Sequence, residues 1–178
     1  MRKILFMIGD LLMDSINDTL RTKLEDWLIN ASETDKNLLL QAMEACESKN
    51  KQKIHTYISA MMKMEKAAAD DQSIVIEIPN TPFLANSLGI MHGGLTSTLL
   101  DSAMGTAANL NLGKDEGAVT LDLNIRFLSP GIGERFKCEG KVVKSGRQII
   151  VTEGTVWNEK EELIASATGT FFKISRKK

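Results

Sequence analysis

The sequence of 178 residues contains few cysteines and histidines, the residues that most often bind zinc or, for cysteine, form disulfides. Its two cysteines, Cys46 and Cys138, are widely separated, and its two histidines are His55 and His92. Because there is no Cys-x-x-Cys pair, ordinary zinc-ligand spacing is missing and we expect no metal site. Two free thiols suit a reducing compartment, so we expect a cytoplasmic protein.

An excess of charge of one sign is also missing. The chain has 22 Lys and Arg residues against 23 Asp and Glu residues, a formal net charge of −1. Residues 1–70 alone carry 10 basic and 11 acidic residues, so this half is not a basic arm. Such a balance gives no general attraction to nucleic acid or anionic lipid. We therefore expect no nucleic-acid partner.

Long hydrophobic runs are absent too. Arg2 and Lys3 precede a short apolar run, as basic residues do in a signal peptide, but Asp10 and Asp14 interrupt it early. No run approaches the length of a membrane span, so we expect no membrane partner. The hydrophobic fraction of 43% and charged fraction of 25% fit a packed globular core.

Residues 11–69 have the apolar spacing of helices. Apolar residues recur every four positions, with Trp27 beside them, at Leu12, Ile16, Leu20, Leu24 and Leu28. Ser32 and Asp35 are candidate caps before a second apolar series. We predict a helical extension over residues 1–70 that packs on the second domain or mediates assembly.

The second domain, residues 71–178, reads as α+β. A β-rich segment at 73–78 precedes a long proline-free helix at 92–110, which is rich in Leu and Ala. Four more strands are predicted at 119–127, 134–144, 147–157 and 163–174. An antiparallel sheet that buries one apolar face needs a cover, and the long helix can supply it.

Two glycines begin this helix, in the triplet His92-Gly93-Gly94. The first N–H groups of a helix have no internal partner and lie at the positive end of its dipole. Glycine there lets a ligand approach the backbone closely. The pattern predicts an oxyanion hole, which is a site for a carbonyl oxygen that gains negative charge.

Asp101 is the second candidate, because it is the only acidic residue between Glu77 and Asp115. A carboxylate among small and apolar helix neighbours is costly unless it is paired or used in chemistry. Gly93 and Asp101 are about 12 Å apart along a helix, whereas reacting groups lie within roughly 3–3.5 Å. If both act on one substrate, a two-fold dimer with antiparallel helices must bring them together.

Residues 73–174 closely resemble the PaaI-like hot-dog thioesterases. The features that carry the resemblance occur in family order: Asn86, Gly89, His92-Gly93-Gly94, Asp101 and Ser129-Pro130. The resemblance implies a five-stranded antiparallel sheet wrapped around a long central helix. It also implies homodimers that pair into tetramers and hydrolysis of acyl-CoA thioesters without metal or cofactor, with CoA as part of the substrate.

The resemblance also implies residue roles. The Gly93 N–H polarises the thioester carbonyl, and Asp101 is the nucleophile or the general base. Asn86 helps to orient the substrate or the attacking water, and Thr120 stands where relatives place a water-orienting hydroxyl. His92 is a candidate base, although a His at this position more often braces the loop by a side-chain hydrogen bond.

A CoA substrate carries phosphates that need cations. Lys144 and Arg147 flank the Ser145-Gly146 turn of the predicted hairpin, and Arg126 is expected on an adjacent strand. The substrate-binding candidates are therefore Gly94, Arg126, Lys144, Gly146 and Arg147. A solvated hairpin tip is an equally good interpretation of the turn.

Two other functions compete with thioester hydrolysis. One is a non-catalytic acyl-CoA-sensing hot-dog module with a DNA-binding N-terminal part, against which the balanced charge argues. The other is a hot-dog dehydratase, which needs a His and an acid facing one another. In this sequence His92 precedes Gly-Gly rather than a dehydratase-type loop, so the dehydratase ranks lower.

Overall fold

The computed structural model describes residues 2–51 and 56–176, with side chains from residue 15 onward; His55 lies outside these residues. The chain forms two compact units, Met1–Met43 and Glu44–Lys178. The helices are α1 (Arg2–Asn30), α2 (Glu33–Asn50), α3 (Tyr57–Met61) and α4 (Gly93–Asn109). The strands are β1 (Glu65–Ala69), β2 (Ser73–Pro79), β3 (Glu116–Phe127), β4 (Arg135–Ser145), β5 (Ile149–Asn158) and β6 (Leu163–Ser175).

Helix α1 and the start of α2 make up the first unit, as their apolar spacing predicts. The predicted cap is present, since the Ser32 hydroxyl accepts from the Asp35 N–H at 3.1 Å and donates to the Asp35 carboxylate at 2.7 Å. The apolar residues of α1 stay exposed, with Ile16 at 58% and Leu20 at 62%. Exposure of this extent leaves the apolar stripe available for a further contact.

The second unit contains one antiparallel sheet in the order β1-β2-β4-β5-β6-β3. The predicted hot-dog class is confirmed, but the sheet has six strands rather than five. The helix predicted through residue 69 is wrong at its end, because Glu65–Ala69 forms β1 and pairs with β2. Strand pairing there prevails over the helix propensity of alanine. The two compact units divide after Met43.

Helix α4 covers the sheet, and its inner face supplies much of the core. Buried residues of the helix are Thr96, Leu99, Leu100, Ala103, Met104, Ala107 and Ala108. The helix approaches the sheet closely at Gly140 of β4, where a Cβ would lie 2.4 Å from the Ala103 carbonyl carbon. Only glycine fits at such a distance, so this residue sets how close the helix lies to the sheet.

Strand β3 contains a β-bulge that the alternating sequence pattern does not predict. Thr120 is paired with Phe171 and Asp122 with Thr170, which leaves Leu121 as the extra residue. The bulge changes the alternation, so Thr120 faces the helix together with Leu123, although strict alternation places them on opposite faces.

Candidate active site

The two glycines at the start of α4 have different environments. The Gly94 N–H donates to His92 Nδ1 at 2.9 Å, and a Cβ on Gly94 would lie 3.1 Å from that atom. Among the described residues, no group accepts a hydrogen bond from the Gly93 N–H. A Cβ on Gly93 would meet only the Phe127 ring, at 3.4 Å. The close His92 ring therefore explains why position 94 is a glycine. The Gly93 N–H, in contrast, is available to a ligand.

His92 is the N-cap of α4, and its ring braces the helix start through the bond to Gly94. In this geometry Nδ1 is an acceptor, so a proton on a neutral imidazole resides on Nε2. The His92 N–H donates in turn to the Leu84 carbonyl at 2.7 Å. These bonds match the bracing role considered for His92, and they leave Nε2 as the ring atom that is not used in the cap.

Asn86 organises the loop before α4. Its Oδ1 accepts from the Leu88 N–H at 2.8 Å and from the Ile90 N–H at 3.4 Å. Gly89 adopts a left-handed φ of 74°, which the turn requires and which glycine accommodates without strain. Asn86 thus has a structural role in the loop, and contact with substrate through its amide nitrogen remains a prediction.

Asp101 lies on α4, where it is half-buried rather than enclosed in the core. Its Oδ1 accepts a hydrogen bond from the Thr120 hydroxyl at 2.8 Å. The β3 bulge makes this hydrogen bond possible, because without the bulge Thr120 would face away from the helix. The result is a carboxylate held by a hydroxyl, with its second oxygen bonded to no group in the described part of the chain.

The predicted substrate cations lie elsewhere. Lys144 is the penultimate residue of β4, and Gly146 and Arg147 lie in the turn to β5. The Gly146 N–H donates to the Ile149 carbonyl at 2.7 Å. Strand pairing places Ser145 three strands from Thr120, about 14 Å at the usual spacing. Within one chain the hairpin therefore does not reach the Asp101 carboxylate.

The prediction that Arg126 lies on a strand adjacent to the hairpin is wrong, because β6 separates β5 from β3, the strand that contains Arg126. Its neighbour Ile125 packs against the core, so Arg126 points to the outer face of the sheet. Arg126, Lys144 and Arg147 are exposed and form no ion pair within the described residues. All three cations are consequently available to an anionic partner.

Cys138 adds no nucleophile to this site. Burial raises the pKa of the Cys138 thiol, and its Sγ lies 3.8 Å from the Leu99 carbonyl oxygen. A buried thiol that resists ionisation is a poor nucleophile. Across residues 15–51 and 56–176, no three metal-ligating side chains come together. No helix in the described part of the chain is both long and apolar enough to cross a bilayer.

Two features of the site escape sequence reasoning. The contact between Gly93 and Phe127 joins residues far apart in the chain, and only the packed fold shows it. Apolar and polar residues alternate along the sequence of β3 without interruption at Leu121, so the sequence contains no signal for the bulge there. Phe127 itself is found by the strand pattern, but only as one member of an apolar face.

Comparisons with known proteins decide the family. Residues 88–165 match the sequence model of the thioesterase superfamily. The BH2602 protein from Bacillus halodurans, solved with CoA, is 33% identical with a TM-score of 0.79, over 86% of this chain and 99% of that one. The chain belongs to the thioesterase superfamily. It is accordingly a thioester hydrolase with the hot-dog fold, as the motif resemblance predicts.

Two sequence relatives have narrower descriptions. Acyl-coenzyme A thioesterase 13 of Mus musculus is 30% identical over 54% of this chain and 69% of its own length. Medium/long-chain acyl-CoA thioesterase YigI of Escherichia coli is 26% identical over 66% of this chain and 85% of its own length. Both similarities concern enzymes that act on CoA esters. The non-catalytic and dehydratase alternatives have no such support.

Proposed function

We propose that the protein hydrolyses acyl-CoA to a free carboxylic acid and CoA, with Gly93 and Asp101 at the reacting atoms. The observation that carries this proposal is the contrast between the two helix-start glycines. One N–H is occupied by His92, and the other donates to no group among the described residues. The CoA bound to the Bacillus halodurans neighbour and the names of the sequence relatives support the substrate class.

The Gly93 N–H donates to the thioester carbonyl oxygen and stabilises the negative charge that develops there. Asp101 either removes a proton from the attacking water or attacks the carbonyl carbon itself. The bond between that carbon and sulfur breaks, and the leaving CoA thiolate takes up a proton. Thr120 holds one carboxylate oxygen at 2.8 Å, which leaves the other oxygen to act.

The site is shared between two chains in this proposal. Gly93 and Asp101 are about 12 Å apart on one helix at ~1.5 Å per residue, so one carbonyl cannot contact both within a chain. Strand β3, 12 residues long, is an unpaired edge of the sheet and carries exposed Val119 and Leu121. Such an edge is prone to pair with a second chain. A homodimer, and a homotetramer built from two dimers, follow as proposals.

The phosphates of CoA are proposed to contact the exposed cations Lys144 and Arg147 beside Gly146. These residues lie about 14 Å from Thr120 within one chain, at the usual strand spacing. CoA separates its phosphates from its sulfur by a long arm, so this distance suits the role. Arg126, on the outer face, would contact CoA only if the ligand crosses the sheet edge. Gly94 is proposed to support the site through its hydrogen bond to His92. The cytoplasmic location stays a prediction.

The test is release of CoA from a panel of aromatic, short, medium and long acyl-CoA thioesters, followed with a thiol-reactive dye. Asp101→Asn should lower kcat on the best substrate at least ~10²-fold, because it removes a nucleophile or base. Asp122→Asn is the matched control, since Asp122 is an exposed acid of β3. Near wild-type turnover by Asp101→Asn would refute the assignment, provided that both variants are folded.

The two roles open to Asp101 give different products in the first turnover. Enzyme in excess of substrate is mixed with acyl-CoA in H₂¹⁸O, and the free acid is analysed by mass. A general base delivers labelled water directly, so the acid contains ¹⁸O at once. A nucleophile forms an acyl anhydride with Asp101, and attack of water on the Asp101 carboxyl carbon of that anhydride leaves the label in the enzyme carboxylate. Label in the enzyme after the first turnover thus identifies Asp101 as the nucleophile.

A further inference from the structure

Phe127 ends β3 beside the helix start that contains Gly93. Apart from chain neighbours and the helix backbone, the Phe127 ring is the only group in the described residues within 4 Å of a Cβ placed on Gly93. Its Cζ and Cε1 atoms lie 3.4 and 3.5 Å from that point. The ring therefore lies on the side of the helix start toward which a side chain at position 93 would point.

The ring is exposed although it faces the helix side of the sheet. Phe127 is paired with Ala165, which is fully buried, yet 57% of Phe127 is accessible. Leu128 and Ile132, which follow in the chain, are also exposed, at 52% and 60%. An exposed aromatic ring beside a free polar donor is typical of ligand sites.

The backbone around Phe127 is held in place. The Leu128 and Ser129 N–H groups both donate to the Ile164 carbonyl, at 2.9 and 3.2 Å. Gly131 lies against Met91, where a Cβ would be 2.6 Å from the Met91 Cβ, and its carbonyl accepts from the Met91 N–H at 2.9 Å. These contacts connect the end of β3 to the residue before His92, so the distance between ring and N–H is fixed by the fold.

Glycine at position 93 is not required by the backbone, which favours a ligand beside the ring. Unlike Gly89 and Gly133, Gly93 does not have a positive φ. A methyl group there would be in ordinary van der Waals contact with one flexible side chain. Alanine is also the better helix former, by up to ~1 kcal/mol in a helix interior. The lack of a side chain at position 93 is thus a feature that packing does not explain.

We propose that Phe127 is the specificity-determining residue for the acyl group, and that its ring, with Leu128 and Ile132, binds an extended aliphatic chain. This inference rests on the proposed acyl-CoA hydrolysis. With the carbonyl oxygen at the Gly93 N–H, the carbons nearest the carbonyl lie beside the helix start, and the carbons beyond them lie on the ring and on the two aliphatic side chains. Short acyl groups end before they reach this surface and gain little from it.

The test compares kcat/KM for butanoyl-, octanoyl- and dodecanoyl-CoA in wild type and in Phe127→Ala. The variant should lose at least about tenfold on the two longer esters, since about two buried methylenes are worth that factor, and less than about threefold on butanoyl-CoA. Val143→Ala is the control, because Val143 is a similarly exposed (53%) apolar residue of β4. It should change none of the three values.

Other outcomes would overturn the proposal. An equal loss on all three esters would assign Phe127 to the support of the oxyanion site, and no loss would remove the ring from the acyl site. A changed solution mass together with loss on every ester would assign the ring to a subunit interface. If wild type hydrolyses no acyl-CoA, the proposed function itself fails; if it does and the chain-length profile is unchanged in Phe127→Ala, only this inference fails.

Discussion

The inner and outer faces of helix α4 are built on different principles. On the inner face, Ala103 and Met104 lie so close to Gly140 that no further atom fits between helix and sheet. The other face, here called the outer face, includes the N-terminal end of the helix and the side beside Thr120 of β3. It has the Gly93 N–H, with no acceptor among the described residues, and a half-buried carboxylate on Asp101. One face satisfies its packing completely, whereas the other keeps polar groups available.

Under the proposed function, stability and catalysis are located on different faces of one helix. Close packing on the inner face fixes the helix position to within a few tenths of an ångström. The outer face has little influence on packing, so its groups are free to serve chemistry. Substitutions on the two faces should therefore separate: inner changes alter the free energy of unfolding, and outer changes alter kcat.

The largest expected effect on stability is at Gly140. Gly140→Ala places a methyl group 2.4 Å from a backbone atom of α4, and neither strand nor helix can move without disturbing the core. We expect the free energy of unfolding to fall by about 1–3 kcal/mol, measured by urea denaturation. The kcat per folded molecule should stay near wild type. A stable Gly140→Ala protein with low kcat would break the distinction between the faces.

Sequence patterns predict most of this architecture but not the details that position the site. Apolar periodicity finds α4 and five strands, and the two glycines and Asp101 stand out by residue type alone. The β1 strand is missed because its alanines favour helix, and pairing with β2 depends on a distant segment. The bulge at Leu121 and the position of the Phe127 ring beside Gly93 are likewise long-range consequences of packing.

Thr120 gives the next largest effect, and it acts on rate. Thr120→Val keeps the shape of the side chain but removes the hydroxyl that donates to Asp101 at 2.8 Å. We expect kcat to fall about tenfold, the cost of one charge-assisted hydrogen bond of ~1.5 kcal/mol. The melting temperature should stay close to wild type, since both residues are at least partly exposed. Thr170→Val, on the neighbouring strand β6, is the control. Unchanged kcat would remove Thr120 from the site.

His92 gives the smallest effect if it is a brace rather than a base. His92→Ala loses the cap on the Gly94 N–H, which should cost about 1 kcal/mol in unfolding free energy. His92→Asn, which retains a capping acceptor, should recover most of that stability. Both variants should keep kcat within about tenfold of wild type. A loss of 10² or more in both would make His92 a general base, by the usual contribution of such groups.

Complementation between two inactive variants tests the shared site most directly. Asp101→Asn and Gly93→Val, a bulky residue at the oxyanion hole, are unfolded and refolded together so that mixed dimers form. Each mixed dimer has one site with both lesions and one with neither. Activity should return to about a quarter of wild type if chains mix at random and sites are independent. If mass measurement shows mixed dimers that remain inactive, each site is built within one chain, and the two-chain account is contradicted.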